Sequence, residues 1–271
     1  QANGGAIADI LTGKVNPSGK LAETFPAKME DTPPYPNFPS KEKTVMYGEG
    51  VFVGYRYYDS KKVKPLFPFG FGLSYTTFAY TRITANTTAA SDTATIEIEV
   101  NVKNTGKVSG KEIVQLYVRD ERCDIVRPEK ELKHFAKVFL QPGEEKSVYF
   151  KLTQRDFSYY NAAVHGWQTT KGKYVILVGG SSDNLPLRKE IEITPSGIIY
   201  PKLDRFSMLK EFAKNPANKA VYDELMTVAL STRTELTATM NETEQERKAR
   251  MARFTITFNN MPVFKLIART K

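Results

Sequence analysis

Alternating apolar and polar residues mark the middle of the chain, from about residue 77 to residue 194. In TATIEIEVNVKNTG, Ile96, Ile98 and Val100 face one way and polar residues face the other, the period-two pattern of a strand with one buried face. EIVQLYVRD repeats this pattern, ELKHFAKVFLQPGEEKSVYFKL predicts two strands, and GKYVILVGGSSDNLPLRKEIEI predicts the last two. The turn at 141–144 has Pro and Gly at its second and third positions, as a type II turn requires.

Short strands at this spacing, separated by Gly and Pro turns, predict an immunoglobulin-like β-sandwich of about 100 residues. We therefore expect a mainly β chain, with the sandwich as its central domain at residues 77–196.

Residues 1–28 predict one helix followed by one short strand. Ile7 and Ile10 share a helix face, and Gly13 stands where a helix C-cap is expected. KLAETFP predicts a strand that ends at Pro26. One helix and one strand cannot bury each other, so we interpret this pair as the end of a larger α/β domain that is incomplete in the chain.

The segments on either side of the sandwich differ in composition. Residues 29–76 are rich in Pro, Gly and aromatic residues, as in DTPPYPNFPS and PLFPFGFGLSYTTF. This composition disfavours both regular secondary structure and disorder, and it predicts an ordered linker loop that lies against a neighbouring surface. Residues 197–271 are helix-forming, with Pro216 at a predicted helix start, and are expected to form a helical C-terminal extension that packs on the sandwich or on domains outside the chain.

Charge and composition narrow the classes of function. The net charge is +9, and the basic residues are spread along the chain, most densely in ERKARMAR at 246–253. A solvated helix face, or a contact with domains outside the chain, explains this cluster better than nucleic-acid binding, because no nucleic-acid motif accompanies it. A membrane-spanning helix needs about 18 consecutive apolar residues, and the chain contains no such run. The single cysteine, Cys123, cannot form an intrachain disulfide, which favours a bacterial cytoplasmic location and leaves export open.

Several motifs occur in the order of a known family. NPSGKLAETFP, YGEGVFVGYRYYDS and PLFPFGFGLSYTTF resemble the C-terminal half of glycoside hydrolase family 3 enzymes, which are mostly β-glucosidases. VNVKNTGKVSGKEIVQLYV, ELKHFAKVFLQPGEEKSVYF and GKYVILVGGSS resemble the fibronectin type III-like domain of that family, and NNMPVFKLI resembles the closing segment of several bacterial members. The resemblance covers nearly the whole chain and implies that residues 1–28 are the end of the family's α/β sandwich domain.

The resemblance implies a retaining hydrolysis, in which one carboxylate attacks the anomeric carbon and a second acts as acid and then as base. The family's nucleophilic aspartate lies in an N-terminal barrel, in a segment usually followed by Trp. Trp167, the only tryptophan here, instead follows His165-Gly166. The family's acid/base glutamate is expected upstream of Gln1. The resemblance therefore assigns no catalytic residue, metal or cofactor to this chain.

Residues in the aromatic loop are candidates for a supporting role at the substrate entrance of the parent enzyme. They are Tyr47, Glu49, Tyr55, Arg56, Tyr57, Tyr58 and Asp59. Glu49 and Asp59 could form a catalytic pair only if their oxygens lay about 5–5.5 Å apart across a pocket, which a lone loop does not favour. The favoured interpretation is that both carboxylates cap turns or pair with Arg56 and nearby lysines.

Other residues with useful chemistry have plainer interpretations. His134 and His165 are the only histidines, too few for a histidine-based metal cluster, and His134 is interpreted as a structural residue of a strand. Trp167 is predicted to belong to the core of the sandwich, with stacking on a sugar as the alternative.

Two functions follow from these observations. The favoured one is the C-terminal scaffold of a retaining β-glucosidase-like hydrolase, inactive alone, whose partners are the N-terminal barrel and α/β domains of the parent. The parent would hydrolyse terminal β-D-glucosides or related sugars, and neither nucleic acid nor a membrane is expected as a partner. A homodimer and the domain order of the parent are left open. The alternative is an independent carbohydrate-binding or adhesion module.

Overall fold

The computed structural model of this chain describes residues 3–40, 43–121, 125–197, 200, 202–237 and 242–267. Cys123 lies outside the described residues. The chain divides into two compact units, one of residues 1–160 and 167–198 and the other of residues 161–166 and 199–271.

The first unit contains α1 (Asn3–Leu11), α2 (Tyr55–Lys61), β1 (Phe78–Ala85), β2 (Ala89–Ser91), β3 (Ile96–Asn104), β4 (Gly110–Asp120), β5 (Glu131–Leu140), β6 (Glu145–Leu152), α3 (Gln154–Phe157), β9 (Gly172–Gly179) and β10 (Leu187–Thr194). It also contains most of β7 (Tyr159–Asn161) and β8 (Gly166–Gln168), whose residues 161 and 166 belong to the second unit. The helices of the second unit are α4 (Leu209–Lys214), α5 (Lys219–Thr237), α6 (Glu244–Asn259) and α7 (Val263–Ile267).

Two sheets form the predicted sandwich. One has the strand order β1-β3-β6, and the other has the order β2-β10-β9-β4-β5, in which β2 pairs parallel with β10 and the other pairs are antiparallel. The turn at 141–144 joins strands of different sheets. Gly143 has φ +78°, and the Glu144 N–H donates to the Gln141 carbonyl at 3.0 Å, as the predicted type II turn requires.

The hydrophobic core lies between the two sheets and follows the alternation in the sequence. Ile96, Ile98 and Val100 of β3 are completely buried, as predicted, and they meet the core-facing side chains of the five-stranded sheet. These include Val114, Leu116, Val118, Tyr174, Ile176, Val178, Ile191 and Ile193. The prediction of a mainly β chain with an immunoglobulin-like sandwich is confirmed.

Strand β4 departs from simple alternation because both of its faces are buried. Gln115 and Tyr117 point away from the core between the sheets, yet both are buried as well. Residues of the Pro- and aromatic-rich segment cover them. The predicted ordered loop therefore does lie against a neighbouring surface, and that surface is the sandwich itself.

The N-terminal residues form the predicted helix but not the predicted strand. Gly13 has φ +74° after α1, as expected of a C-cap, and the apolar face with Ile7 and Leu11 is exposed. Residues 20–26 run alongside residues 66–71, and the single bridge between Phe25 and Phe67 takes the place of a regular strand. Prolines in the neighbouring segment lack the N–H that a longer ladder needs.

The second unit has a hydrophobic cluster of its own, which the sequence pattern did not predict. Its buried members are Leu209, Met226, Ala229, Phe258 and Val263. Pro216 opens a short 3₁₀ turn directly before α5, as predicted for a helix start, and Thr243 and Glu246 form a capping box at the start of α6. The described extension is helical, as expected.

Candidate functional site

Five of the seven candidate entrance residues lie on the short helix α2. The sequence composition predicted no helix here. The helix begins after Gly54, whose φ of +54° favours glycine, and it ends at Lys62 in the left-handed conformation. Tyr55 and Tyr58, three residues apart on one face, are buried, whereas Arg56 and Tyr57 are partly exposed. The i, i+3 spacing of Tyr55 and Tyr58 is the signal that could have indicated this helix.

Tyr55 anchors α2 to the outer face of the five-stranded sheet. Its ring packs 5.1 Å from Phe69 and edge-on to Tyr117 at 5.7 Å between centroids. The Leu132 N–H of β5 donates to its hydroxyl oxygen at 2.8 Å. Burial raises the pKa of Tyr117 far above its ordinary value, so the Tyr117 hydroxyl stays un-ionised across the neutral range.

The covered face of β4 is also held by a buried amide. Gln115 Nε2 donates to the Gly180 carbonyl at 2.7 Å and to the Gly70 carbonyl at 3.4 Å, while its Oε1 accepts from the Tyr117 hydroxyl at 2.6 Å. Gly70, with φ +80°, leaves no room for a side chain, because a Cβ there would lie 2.4 Å from the Gln115 amide. The aromatic segment is therefore fastened by polar contacts as well as by rings.

Asp59 forms an ion pair rather than an open catalytic carboxylate. Its Oδ2 accepts from Lys130 Nζ at 2.6 Å, although the two residues are 71 positions apart. Lys62, at the end of the same helix, contacts Glu129. Burial raises the pKa of Asp59, and the hydrogen bond and charge of Lys130 oppose that rise. Asp59 does pair with a lysine, but that lysine is Lys130 and not Arg56 or a lysine nearby in the sequence, as the favoured interpretation had it.

The remaining candidates are placed differently. Tyr47 is 81% exposed in a turn that precedes α2. Glu49 is partly buried, and within the described part of the chain its Oε2 has no hydrogen-bond partner. Tyr55, Tyr58 and Asp59 together line a cleft of about 420 Å³, with Thr24 on another side. The lining of this cleft does not include Tyr47, Glu49, Arg56 or Tyr57.

A second cleft, of about 570 Å³, contains a buried ion pair that the sequence analysis missed. Lys20 Nζ lies 3.0 Å from Glu112 Oε1, which also accepts from the Tyr80 hydroxyl at 3.1 Å. Because side chains alternate along a strand, Glu112 points to the same face of β4 as Val114 and Leu116. A charged residue at such a core-facing position is the sequence signal that could have indicated a buried ion pair. The pair ties the N-terminal segment to the sandwich.

Trp167 is not a core residue, and the prediction that it belongs to the core is wrong. It is 47% exposed at the centre of β8, which pairs with β7 in a separate two-stranded ribbon. Among the described residues, no strand of another sheet pairs with this ribbon. His134 lies in β5, as predicted, with Nε2 3.2 Å from Asp156 Oδ1.

Within the described ranges, no group of three or more His, Cys, Asp or Glu side chains could hold a metal ion. The helices that are described there include none long and apolar enough to cross a membrane.

Two family models match the chain. The glycosyl hydrolase family 3 C-terminal domain matches residues 1–75, and the fibronectin type III-like domain matches residues 112–182. Both fit the observed order, in which the N-terminal and aromatic segments pack on the sandwich.

Curated relatives extend this similarity along most of the chain. Thermostable beta-glucosidase B of Acetivibrio thermocellus is 50% identical over 221 residues, which is 82% of this chain and 29% of the relative. An exo-alpha-(1->6)-L-arabinopyranosidase of Bifidobacterium breve is 42% identical over 80% of this chain and 28% of the relative. The chain thus spans less than a third of these proteins.

Solved structures agree with the sequence comparisons. A family 3 beta-glucosidase from Bifidobacterium adolescentis superimposes with a TM-score of 0.74 at 41% identity, over 82% of this chain and 32% of that one. Beta-glucosidase 3B of Thermotoga neapolitana superimposes with a TM-score of 0.66 at 39% identity, over 71% of this chain and 27% of that one. The chain therefore belongs to glycoside hydrolase family 3 and corresponds to a C-terminal portion of an enzyme of that family.

Proposed function

We propose that this chain is the non-catalytic C-terminal scaffold of a retaining β-glucosidase-like enzyme, which hydrolyses terminal β-D-glucosides or related sugars. The observation that carries the proposal is that similarity to β-glucosidases runs through both matched domains, while the chain spans less than a third of those enzymes. Asp59 and Glu112, carboxylates beside the two clefts, are held by lysines and are not a free acid and nucleophile pair. A role in bacterial carbohydrate metabolism belongs to this proposal.

The domain division 1–28, 29–76, 77–196 and 197–271 is part of the same proposal. The last strand of the sandwich ends at Thr194, and the second compact unit takes up the chain again at residue 199, which supports the final boundary. The segment before the sandwich is fastened to it by Lys20 and Tyr55, so we expect it to keep its position when the other domains bind.

The partner proposed for this scaffold is the N-terminal barrel with the rest of the α/β domain. Its docking surface would be the exposed apolar side chains of the first 76 residues, which neither cover one another nor face the sandwich core. They include Ile7, Leu11, Met29, Phe38, Met46, Leu66 and Leu73.

A reconstitution experiment tests this function. The chain is produced alone and together with the N-terminal remainder of the Acetivibrio thermocellus relative, and hydrolysis of an aryl β-glucoside is measured. We expect no turnover by the chain alone, and co-purification with activity for the pair. Leu11→Glu should weaken the association, whereas Tyr149→Ala, at an exposed position on β6, should not. Turnover by the chain alone at the rate of the intact relative would overturn the proposal, as would failure of the two parts to associate.

We propose that the seven candidate residues border the substrate entrance of the assembled enzyme, and that five of them do so in two distinguishable ways. Tyr47 and Tyr57 would contact the leaving-group sugar, and Tyr55, Tyr58 and Asp59 would hold the segment in place. In the reconstituted enzyme, Tyr47→Ala should raise KM for a disaccharide without changing the melting temperature. An unchanged KM for Tyr47→Ala and Tyr57→Ala would refute the entrance role.

A further inference from the structure

A small ribbon on the sandwich carries two exposed aromatic rings side by side. Strands β7 and β8 pair with each other, and the central residue of each, Tyr160 and Trp167, is its most exposed member at 51% and 47%. The ring centroids lie 5.3 Å apart in an edge-to-face arrangement. Strand residues alternate between faces, so Tyr159 and Gln168 fall on the opposite face, where the Tyr159 hydroxyl donates to Gln168 Oε1 at 3.1 Å.

The aromatic pair is braced from below by a rigid support. The guanidinium of Arg155 stacks on the Trp167 ring system. Arg155 belongs to α3, which is fixed at its start by the capping box of Thr153 and Asp156 and at its end by the fully buried Phe157. The stacked guanidinium and the edge-to-face contact with Tyr160 both restrict the indole in the absence of ligand, which reduces the entropy cost of binding.

We propose that Tyr160, Trp167 and Arg155 form a binding site for β-linked glucose oligosaccharides. A β-linked pyranose presents a flat face of C–H groups that packs on an indole, while its equatorial hydroxyls point sideways. Trp and Tyr offer this combination of an apolar face and a polar edge. Arg155, which is exposed beside the indole, carries five N–H donors and no acceptor, which suits hydroxyl oxygens.

The size of the platform selects this ligand over a protein partner. Two half-exposed rings offer on the order of 200 Å² of contact area. A specific protein–protein interface buries about 1,200–2,000 Å² in total, several times more than this platform can supply. One or two sugar units match it. This site goes beyond the proposed scaffold function, and only the choice of glucose as the sugar rests on that function.

The chain carries its own reporter for the test, because Trp167 is its only tryptophan. The emission spectrum of the full chain is recorded during titration with cellopentaose, with maltopentaose as a control for linkage. We expect a saturable change with cellopentaose. An emission spectrum that cellopentaose leaves unchanged would overturn the proposal, and so would a change produced only by a single-stranded oligonucleotide and abolished by salt.

Affinity electrophoresis in a gel containing soluble β-glucan provides a second readout. Trp167→Ala should lose at least about tenfold in affinity, as expected for a central aromatic anchor. Trp167→Phe, which preserves a ring across the ribbon, should keep part of the retardation and controls for loss of folding. Tyr149→Ala, which removes a 69% exposed ring elsewhere, should migrate like the unmodified chain. Equal retardation of Trp167→Ala and the unmodified chain would also overturn the proposal. Neither readout requires catalytic activity, so failure here is distinct from failure of reconstitution.

Discussion

Tyr55 offers the sharpest test of how the aromatic segment is held on the sandwich. Replacing Tyr55 with Ala removes a ring that packs on Phe69 and Tyr117 and is 9% exposed. Loss of a buried aromatic ring costs about 3–5 kcal/mol, because the cavity left behind collapses only in part. Tyr55→Phe keeps the ring but leaves the Leu132 N–H without its acceptor, which costs about 1–3 kcal/mol.

Thermal unfolding followed by far-UV circular dichroism measures both effects. For a unit of this size, each kcal/mol lowers Tm by about 2–4 °C, so Tyr55→Ala should lower it by about 10 °C. Tyr47→Ala is the matched control, since its 81% exposed side chain should change Tm by less than about 2 °C. If Tyr55→Ala and Tyr47→Ala unfold at the same temperature, Tyr55 does not anchor the aromatic segment to the sandwich.

Three further outcomes can be checked on the same chain. Breaking a fully buried ion pair costs about 3–5 kcal/mol, and Lys20→Met should destabilise the first unit by somewhat less, because the Lys20 side chain is 16% exposed. Adding Glu112→Leu should recover much of this loss, as measured by urea titration. Burial alone would raise the pKa of Glu131, but neighbouring cations bring it below its ordinary value of 4.5. The stability from ionised Glu131 is therefore present above about pH 4.5 and lost as pH falls further, so the gap to Glu131→Gln should narrow from pH 7 to pH 3, and a constant gap would contradict this. Gly143→Ala should cost about 1 kcal/mol at φ +78°, whereas Gly19→Ala, an open position, should cost close to nothing.

The strands and the helical tail were predictable because their signals are local. The alternation around Ile96 and Ile98 places one face of β3 in the core whatever its neighbours are, and Pro142-Gly143 prescribes the turn that follows β5. Pro216 marked a helix start for the same reason. Each of these features depends on residues within one or two turns of chain.

The candidate site was only partly predictable. The seven entrance candidates came from composition and from the resemblance, and the structure separates them into buried anchors such as Tyr55 and an exposed residue such as Tyr47. Asp59 pairs with Lys130, which is 71 positions away, and Lys20 pairs with Glu112, which follows the whole aromatic segment in the sequence. No local pattern reports contacts of this range.

By itself, the sequence determined the β-sandwich, the helical extension and the family, because periodicity, turn residues and ordered motifs survive without knowledge of contacts. Only the tertiary structure decided which apparently outward faces are covered. Tyr117, on the outer face of β4, is buried by the aromatic segment, which is distant from it in the sequence. Trp167, predicted as core, is 47% exposed on a two-stranded ribbon. Alternation tells two faces of a strand apart, but burial depends on what packs against each face, and that partner comes from elsewhere in the chain.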